Sequence, residues 1–291
     1  MDGILIINKP KGRTSHDIVS KVKKIVGNKV GHTGTLDPNA TGVLPLLIGK
    51  GTLCSQYLME HDKIYEVVLQ LGIKTDTADS EGNIIEEKQV DLDLLHEKKV
   101  YEVLNSFLGK QEQIPPMYSA IKVNGKKLYE YARKGQSVEI KPRQIEIYKC
   151  ELKQVNLEEK QICFTVHCSK GTYIRSLCED IAIKLETVGY MKELNRTKVG
   201  KFGIEKAITI EELENNISNE AFLNEHFISV ERAFEDKAMV IVPENRLKHF
   251  LNGVKLSFNL ADGLYKIYDE KNNFIGIGSV QESLLKREIV L

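Results

Sequence analysis

Tryptophan is missing from this 291-residue chain, and cysteine is sparse: five residues, an odd number, with no Cys-x-x-Cys pair. That composition predicts neither a disulfide framework nor a zinc knuckle nor a thioredoxin-like redox motif. Cys163 and Cys168 lie five positions apart on a predicted strand, hence on opposite faces, which argues against a shared metal. With Cys54, Cys150 and Cys178 they read as free thiols in a folded interior. Net charge is lacking as well. Lys plus Arg and Asp plus Glu number 41 each, a balance that by itself argues against a nucleic-acid partner. Long apolar runs are absent: Ile4–Ile7 is too short for a signal peptide, and no stretch could span a bilayer. The chain also lacks internal repeats and low-complexity tracts. These absences predict a cytoplasmic globular protein with no metal site and no membrane contact.

What charge there is falls unevenly. Lys9, Lys11, Arg13, Lys21, Lys23, Lys24 and Lys29 crowd the first segment. A second basic stretch, about 122–143, holds Lys122, Lys126, Lys127, Arg133, Lys134, Lys141 and Arg143. Acid collects at 76–93 and 205–236. Two basic patches on a neutral body could grip a polyanion, and solvated helix faces fit the same pattern equally well.

Periodicity predicts a strand at Gly3–Asn8, then a helix capped by Thr14 or Ser15 and closed by Gly27. Further strands are predicted at Tyr65–Leu71, Met117–Val123, Val138–Val155 and Gln161–Cys168, with extended chain again at Glu193–Phe202. Helices are predicted at Leu92–Leu108, Lys126–Lys134 and Thr172–Val188, and an acidic helical stretch at 205–236. The texture changes at Met239–Pro243. A short helix, Glu244–Leu251, and strands at Gly263–Tyr268 and Phe274–Val280 follow. The order is mixed, so the predicted class is α+β with a large, mostly antiparallel sheet. The predicted domains are 1–236 and a small β-rich domain at 237–291.

The segment Gly31-His32-Thr33-Gly34-Thr35-Leu36-Asp37-Pro38-Asn39-Ala40-Thr41-Gly42-Val43-Leu44-Pro45 sets one carboxylate, Asp37, in a loop dense in glycine, proline and threonine. Such a loop holds a shape, and it carries no second acid nearby in sequence. A turn-forming aspartate fits it too. Arg175, in Lys170-Gly171-Thr172-Tyr173-Ile174-Arg175, could pair with Asp37 and hold it ionised. Tyr129 and Tyr131 lie among the second set of cations, a mixture suited to base stacking beside phosphate contact.

Those stretches, with Pro115-Pro116-Met117-Tyr118-Ser119-Ala120-Ile121-Lys122-Val123-Asn124-Gly125 and Asn8-Lys9-Pro10-Lys11-Gly12, closely resemble the bacterial tRNA pseudouridine-55 synthases. The resemblance covers residues 3–205 continuously, and 237–291 more loosely resembles a PUA-type RNA-binding domain. It implies a pseudouridine synthase fold and isomerisation of uridine 55 in the tRNA T-loop without cofactor or metal. Asp37 would be the nucleophile, with attack on the sugar, attack on the base or passage through a glycal all left open. Base flipping is implied, with Tyr65 stacking on the base, Tyr173 touching the flipped nucleotide and Leu194 lining the pocket. His32 would fill the space that the base leaves. Lys9, Lys126, Lys127 and Arg133 would meet RNA, the last three in an insertion that clamps the T-arm; the glycines and like charges of that stretch predict that it is mobile without RNA. The partner implied is tRNA alone, met by a monomer with no guide RNA or obligatory protein partner. A tRNA-folding chaperone that needs no catalysis would use the same grip.

Overall fold

The computed structural model describes residues 2–59 and 61–291. Its first strand, Gly3–Lys9, is an apolar run buried on both faces. One side packs with Val43, Leu47 and Phe202; the other packs with Leu44, Leu46 and the apolar stripe of the Ser15–Val26 helix. That helix starts at a reciprocal capping box, in which Asp17 N–H donates to Thr14 Oγ1 at 3.1 Å and Thr14 N–H donates to the Asp17 carboxylate at 2.9 Å. It ends where predicted, on Gly27 in the left-handed conformation.

A ten-stranded sheet organises the larger body. Its main path runs Phe227–Ser229, Gly3–Lys9, Thr41–Ile48, Gly189–Val199, Lys63–Leu71, Gln161–Cys168, Arg143–Asn156 and Gly109–Gln113. Neighbours along this path pair antiparallel except at one seam, where Thr41 and Gly42 run parallel to Asn195 and Arg196. The chains approach so closely there that a Cβ on Gly42 would lie 2.2 Å from the Arg196 carbonyl oxygen. Gly42 also has φ +103, so both sterics and backbone require glycine. Beyond the seam, two bulges in Gly189–Val199 shift the buried positions from Gly189 and Met191 to Leu194 and Arg196, then to Val199. The bulges therefore turn Leu194 and Arg196 inward. The helices Ile174–Lys184 and Glu97–Asn105 cover this half of the sheet.

A five-stranded sheet begins at Met239–Ile241 and folds with the Glu244–Leu251 helix around Val240, Val242, Phe250, Ile267 and Leu285. Ile277 and Ile289 belong to one buried cluster with Ile4, Val43, Leu47, Val230 and Phe234 of the larger body. Two tyrosines add polar ties, Tyr57 Oη to Glu288 at 2.9 Å and Tyr268 Oη to Glu231 at 2.6 Å.

Several elements differ from the sequence expectation. Leu92–Leu108 is a 3-10 turn, Leu92–Leu95, then a shorter helix, Glu97–Asn105, because His96 breaks away to cap it. Met117–Val123 is not a strand; only Lys122–Val123 pairs, in a small hairpin with Lys126–Lys127. Leu128–Ala132 is the helical part of Lys126–Lys134, and the long strand starts at Arg143 rather than Val138. Thr172–Val188 is helical over Ile174–Lys184. The acidic stretch is broken by a strand, Phe227–Ser229.

Candidate active site

Asp37 lies immediately before the Thr41–Ile48 strand, at the parallel seam. Backbone groups of its loop are gripped from three directions. Ser15 Oγ accepts from Leu36 N–H at 2.8 Å and donates to Leu36 O at 3.1 Å. Buried Arg196 donates to Gly34 O at 3.0 Å, Thr35 O at 3.5 Å and Val43 O at 2.8 Å. Lys9 donates to Pro38 O, Pro10 O and Arg13 O at 2.9, 3.0 and 2.6 Å. Its ammonium is fully buried, and burial pulls its pKa down to about 8. The expectation that Lys9 meets RNA is therefore corrected: this lysine is a tether under the loop, with its three N–H bonds engaged.

Arg175, in the first turn of its helix, reaches Asp37 through two contacts, Nε to Oδ2 at 3.1 Å and Nη2 to Oδ1 at 3.4 Å. The same guanidinium donates to Tyr118 O at 2.9 Å and Thr77 O at 3.3 Å. Asp79 stands on its far side, 3.7 Å from Nη1. A second carboxylate is thus present at the site, contrary to the reading of a lone acid. Asp79 is itself pinned by Thr77 Oγ1 at 2.6 Å and Glu81 N–H at 3.0 Å.

Arg175 is buried, whereas the Asp37 side chain is 34% exposed and opens on a cleft of about 720 Å³. Burial raises the Asp37 pKa above the usual carboxylate range; Arg175 pulls it back, and Asp79 pushes it further up. Tyr65, Tyr173 and Leu194 line the same cleft, with Tyr118, Tyr129 and Arg196. Burial pushes the Tyr65 phenol up to about 12, with Arg196 beside it, so a neutral ring faces the cleft. Gln113 holds Tyr173 by both backbone groups, accepting from its N–H at 2.8 Å and donating to its O at 3.0 Å.

His32 is half-buried next to the cleft-lining Thr33, and its Nδ1 accepts from Gly34 N–H at 3.3 Å. Burial and nearby Arg196 lower its pKa, which favours the neutral imidazole. Lys127 and Arg133 each lie 5.3 Å from the Tyr129 ring centroid, and Lys126 is exposed beside them. The structure therefore gathers Asp37, Arg175, Tyr65, Tyr173 and Leu194 around one space. It places Lys126, Lys127 and Arg133 around Tyr129 at its margin, and Lys9 beneath. Sequence reasoning missed Asp79, Arg196 and Gln113. Arg196 does not stand out in Glu193–Phe202, where Glu193, Lys198 and Lys201 are charged as well and two bulges shift the buried face. Asp79 and Gln113 carry no local signal.

Residues 22–174 match the TruB family pseudouridylate synthase N-terminal domain. Residues 175–235 match the tRNA pseudouridylate synthase B C-terminal domain, and 238–288 the C-terminal domain of pseudouridine synthase II TruB. Fold and family are those of a pseudouridine synthase, an isomerase. Proteins called tRNA pseudouridine synthase B are similar over nearly their whole length. That of Clostridium kluyveri is 46% identical over 96% of this chain and 95% of its own. That of Caldanaerobacter subterraneus is 46% identical with the same coverage, and that of Bacillus cereus 40% over 95% and 92%. A chain from the crystal structure of a Cbf5–Nop10–Gar1 complex superposes with TM-score 0.72 at 26% identity, covering 99% of this chain and 83% of that one. The chain belongs to the TruB family of pseudouridine synthases.

Proposed function

We propose that the protein converts uridine 55 in the T-loop of tRNA to pseudouridine, with Asp37 as the nucleophile. One observation carries this reading: the Asp37 carboxylate, aimed by Arg175, faces a cleft lined by the rings of Tyr65 and Tyr173 and by Leu194. The reaction breaks the N1–C1′ bond, turns the uracil and joins C5 to C1′; the C5 proton is lost and N1 gains one, so the atoms balance. An acid held in place by Arg175 suits a rearrangement in which the base never leaves the cleft.

The T-loop base must leave its stack to reach Asp37, and Tyr65 offers a neutral face on which to receive it. Lys127 and Arg133 around Tyr129, with Lys126 outside them, would hold phosphates of the T-arm. The bacterial relatives, matched almost end to end and called tRNA pseudouridine synthase B, support tRNA as the substrate and an enzyme that needs no guide RNA; we propose that it acts as a monomer without an obligatory protein partner.

The test is to treat transcribed tRNA with the purified protein and with Asp37→Asn, then map pseudouridine. The expected result is full conversion at position 55 by the wild type and none by the variant. An unmodified uridine 55 with wild-type enzyme, or conversion by Asp37→Asn, overturns the reading. Persistence of tRNA folding activity in the variant would mark a separate chaperone role.

A further inference from the structure

Two side-chain oxygens among the described residues are buried without any hydrogen-bond partner: Thr33 Oγ1 and Ser119 Oγ. Thr33 is 3% exposed and Ser119 is 5% exposed. Both residues line the cleft that holds Asp37. Buried hydroxyls are nearly always paired, because an unpaired one forfeits its hydrogen bonds to water. Two such atoms on residues that line one cleft call for an explanation in what enters that space.

They come from separate segments of the chain. Thr33 precedes Gly34 and Thr35, whose carbonyls Arg196 grips, and its own N–H is fixed to Pro45 O at 3.2 Å. Ser119 follows Tyr118, whose carbonyl accepts from Arg175. Its backbone is fixed on both sides, by a bond to Met117 O at 3.0 Å and one from Tyr129 N–H at 3.1 Å. Each hydroxyl is thus mounted on backbone that the Asp37 machinery already immobilises, and each is free to donate and accept.

We infer that Thr33 and Ser119 are substrate-recognition residues whose hydroxyls pair with neutral polar edges of the flipped nucleotide. A neutral, buried hydroxyl matches a uracil carbonyl or imide, or a ribose hydroxyl; phosphate is better served by the exposed cations at the margin. A site with polar groups that only the right substrate satisfies discriminates strongly, since any other occupant leaves them unpaired. The inference rests on the pseudouridine synthase reading of the cleft.

The opposing effects on stability and activity give the test. Thr33→Val and Ser119→Ala remove an unpaired oxygen from the free enzyme, so Tm should hold or rise, while kcat/KM for T-arm RNA should fall about tenfold for each. Thr33→Ser keeps the hydroxyl and should recover most of the loss at position 33. Repeating the kinetics with 2′-deoxyuridine at the target separates the two sources. A hydroxyl that reads the ribose shows no further penalty on that RNA, and one that reads the base keeps its full penalty. Wild-type kcat/KM in both variants would overturn the inference, as would a loss of activity matched by a fall in Tm of several degrees. If wild-type enzyme leaves uridine 55 untouched, the tRNA assignment fails by itself. The variants are then scored against wild type on whichever RNA uridine it does convert.

Discussion

Arg175 and Asp79 stand 3.7 Å apart, Nη1 to Oδ2, on the side of the guanidinium away from Asp37. The arginine is thereby bracketed by two carboxylates, and the outer one fixes how it presents Nε to the inner one at 3.1 Å. Asp79 also raises the pKa of Asp37 by like charge.

Asp79→Asn should therefore act in two separable ways. Loss of an anchor lets the guanidinium drift, and kcat should fall about tenfold to a hundredfold. Loss of the negative charge lowers the Asp37 pKa, so the acid limb of the kcat/KM–pH profile should move to lower pH. An unchanged limb with reduced kcat would mean that Asp79 only positions Arg175.

Asp37→Asn should abolish turnover, at least on the order of a thousandfold, without lowering Tm at pH 7. The folded-state pKa of Asp37 is raised, so the folded protein holds this proton more tightly than the unfolded chain does. Stability contributed by the protonated carboxyl is present at low pH and is lost as pH rises through the folded pKa. The variant's advantage should be largest at neutral pH and shrink on acidification. Arg175 keeps Asp79, Thr77 O and Tyr118 O as partners when Asp37 is neutralised. Melting curves from pH 4 to 8 on both proteins check this, and a Tm loss of several degrees at pH 7 would contradict it.

The sequence showed elements with one clear face and concealed those with two. Gln161–Cys168 alternates, and its predicted bounds coincide with the observed strand. Thr41–Ile48 escaped notice because seven of its eight residues are buried, so nothing alternates, and because Pro45 reads as a strand breaker. The proline is tolerated because its carbonyl accepts from Thr33 N–H; its nitrogen faces that same side, away from the first strand, and no bond to that strand is lost. Within the site, Asp37 and Arg175 stood out by local context. Asp79 lay in an acidic stretch that reads as solvated surface, and only tertiary folding brings it to Arg175. Lys9 was misread because charge in a sequence says nothing about burial.

Arg196 should be the residue on which the shape of the Asp37 loop depends. Arg196→Met removes the donors to Gly34 O, Thr35 O and Val43 O from a buried position. Unpaired buried carbonyls make the expected destabilisation about 3 kcal/mol or more, with hydrogen exchange accelerated first at residues 33–37. Uniform acceleration across the whole domain would instead indicate a global core defect.

Lys9 and Lys126 should differ in how salt affects their variants. Counterions leave RNA when a lysine meets a phosphate, so removing such a lysine lowers the steepness of log Kd against log salt by about 1. Lys126 is exposed on the hairpin beside Tyr129, and Lys126→Ala should weaken tRNA binding and flatten the slope by that amount. Lys127→Ala should do the same and also free the Tyr129 hydroxyl, which accepts from Lys127 at 3.2 Å. Lys9→Met should leave the slope unchanged, because its ammonium is spent on three backbone carbonyls beneath the loop. Its effect should appear as a lower Tm and a lower kcat, since Pro38 loses the tether that fixes Asp37 next to it. A flattened slope for Lys9→Met would place its charge on the RNA after all, and would require this segment to open when tRNA binds.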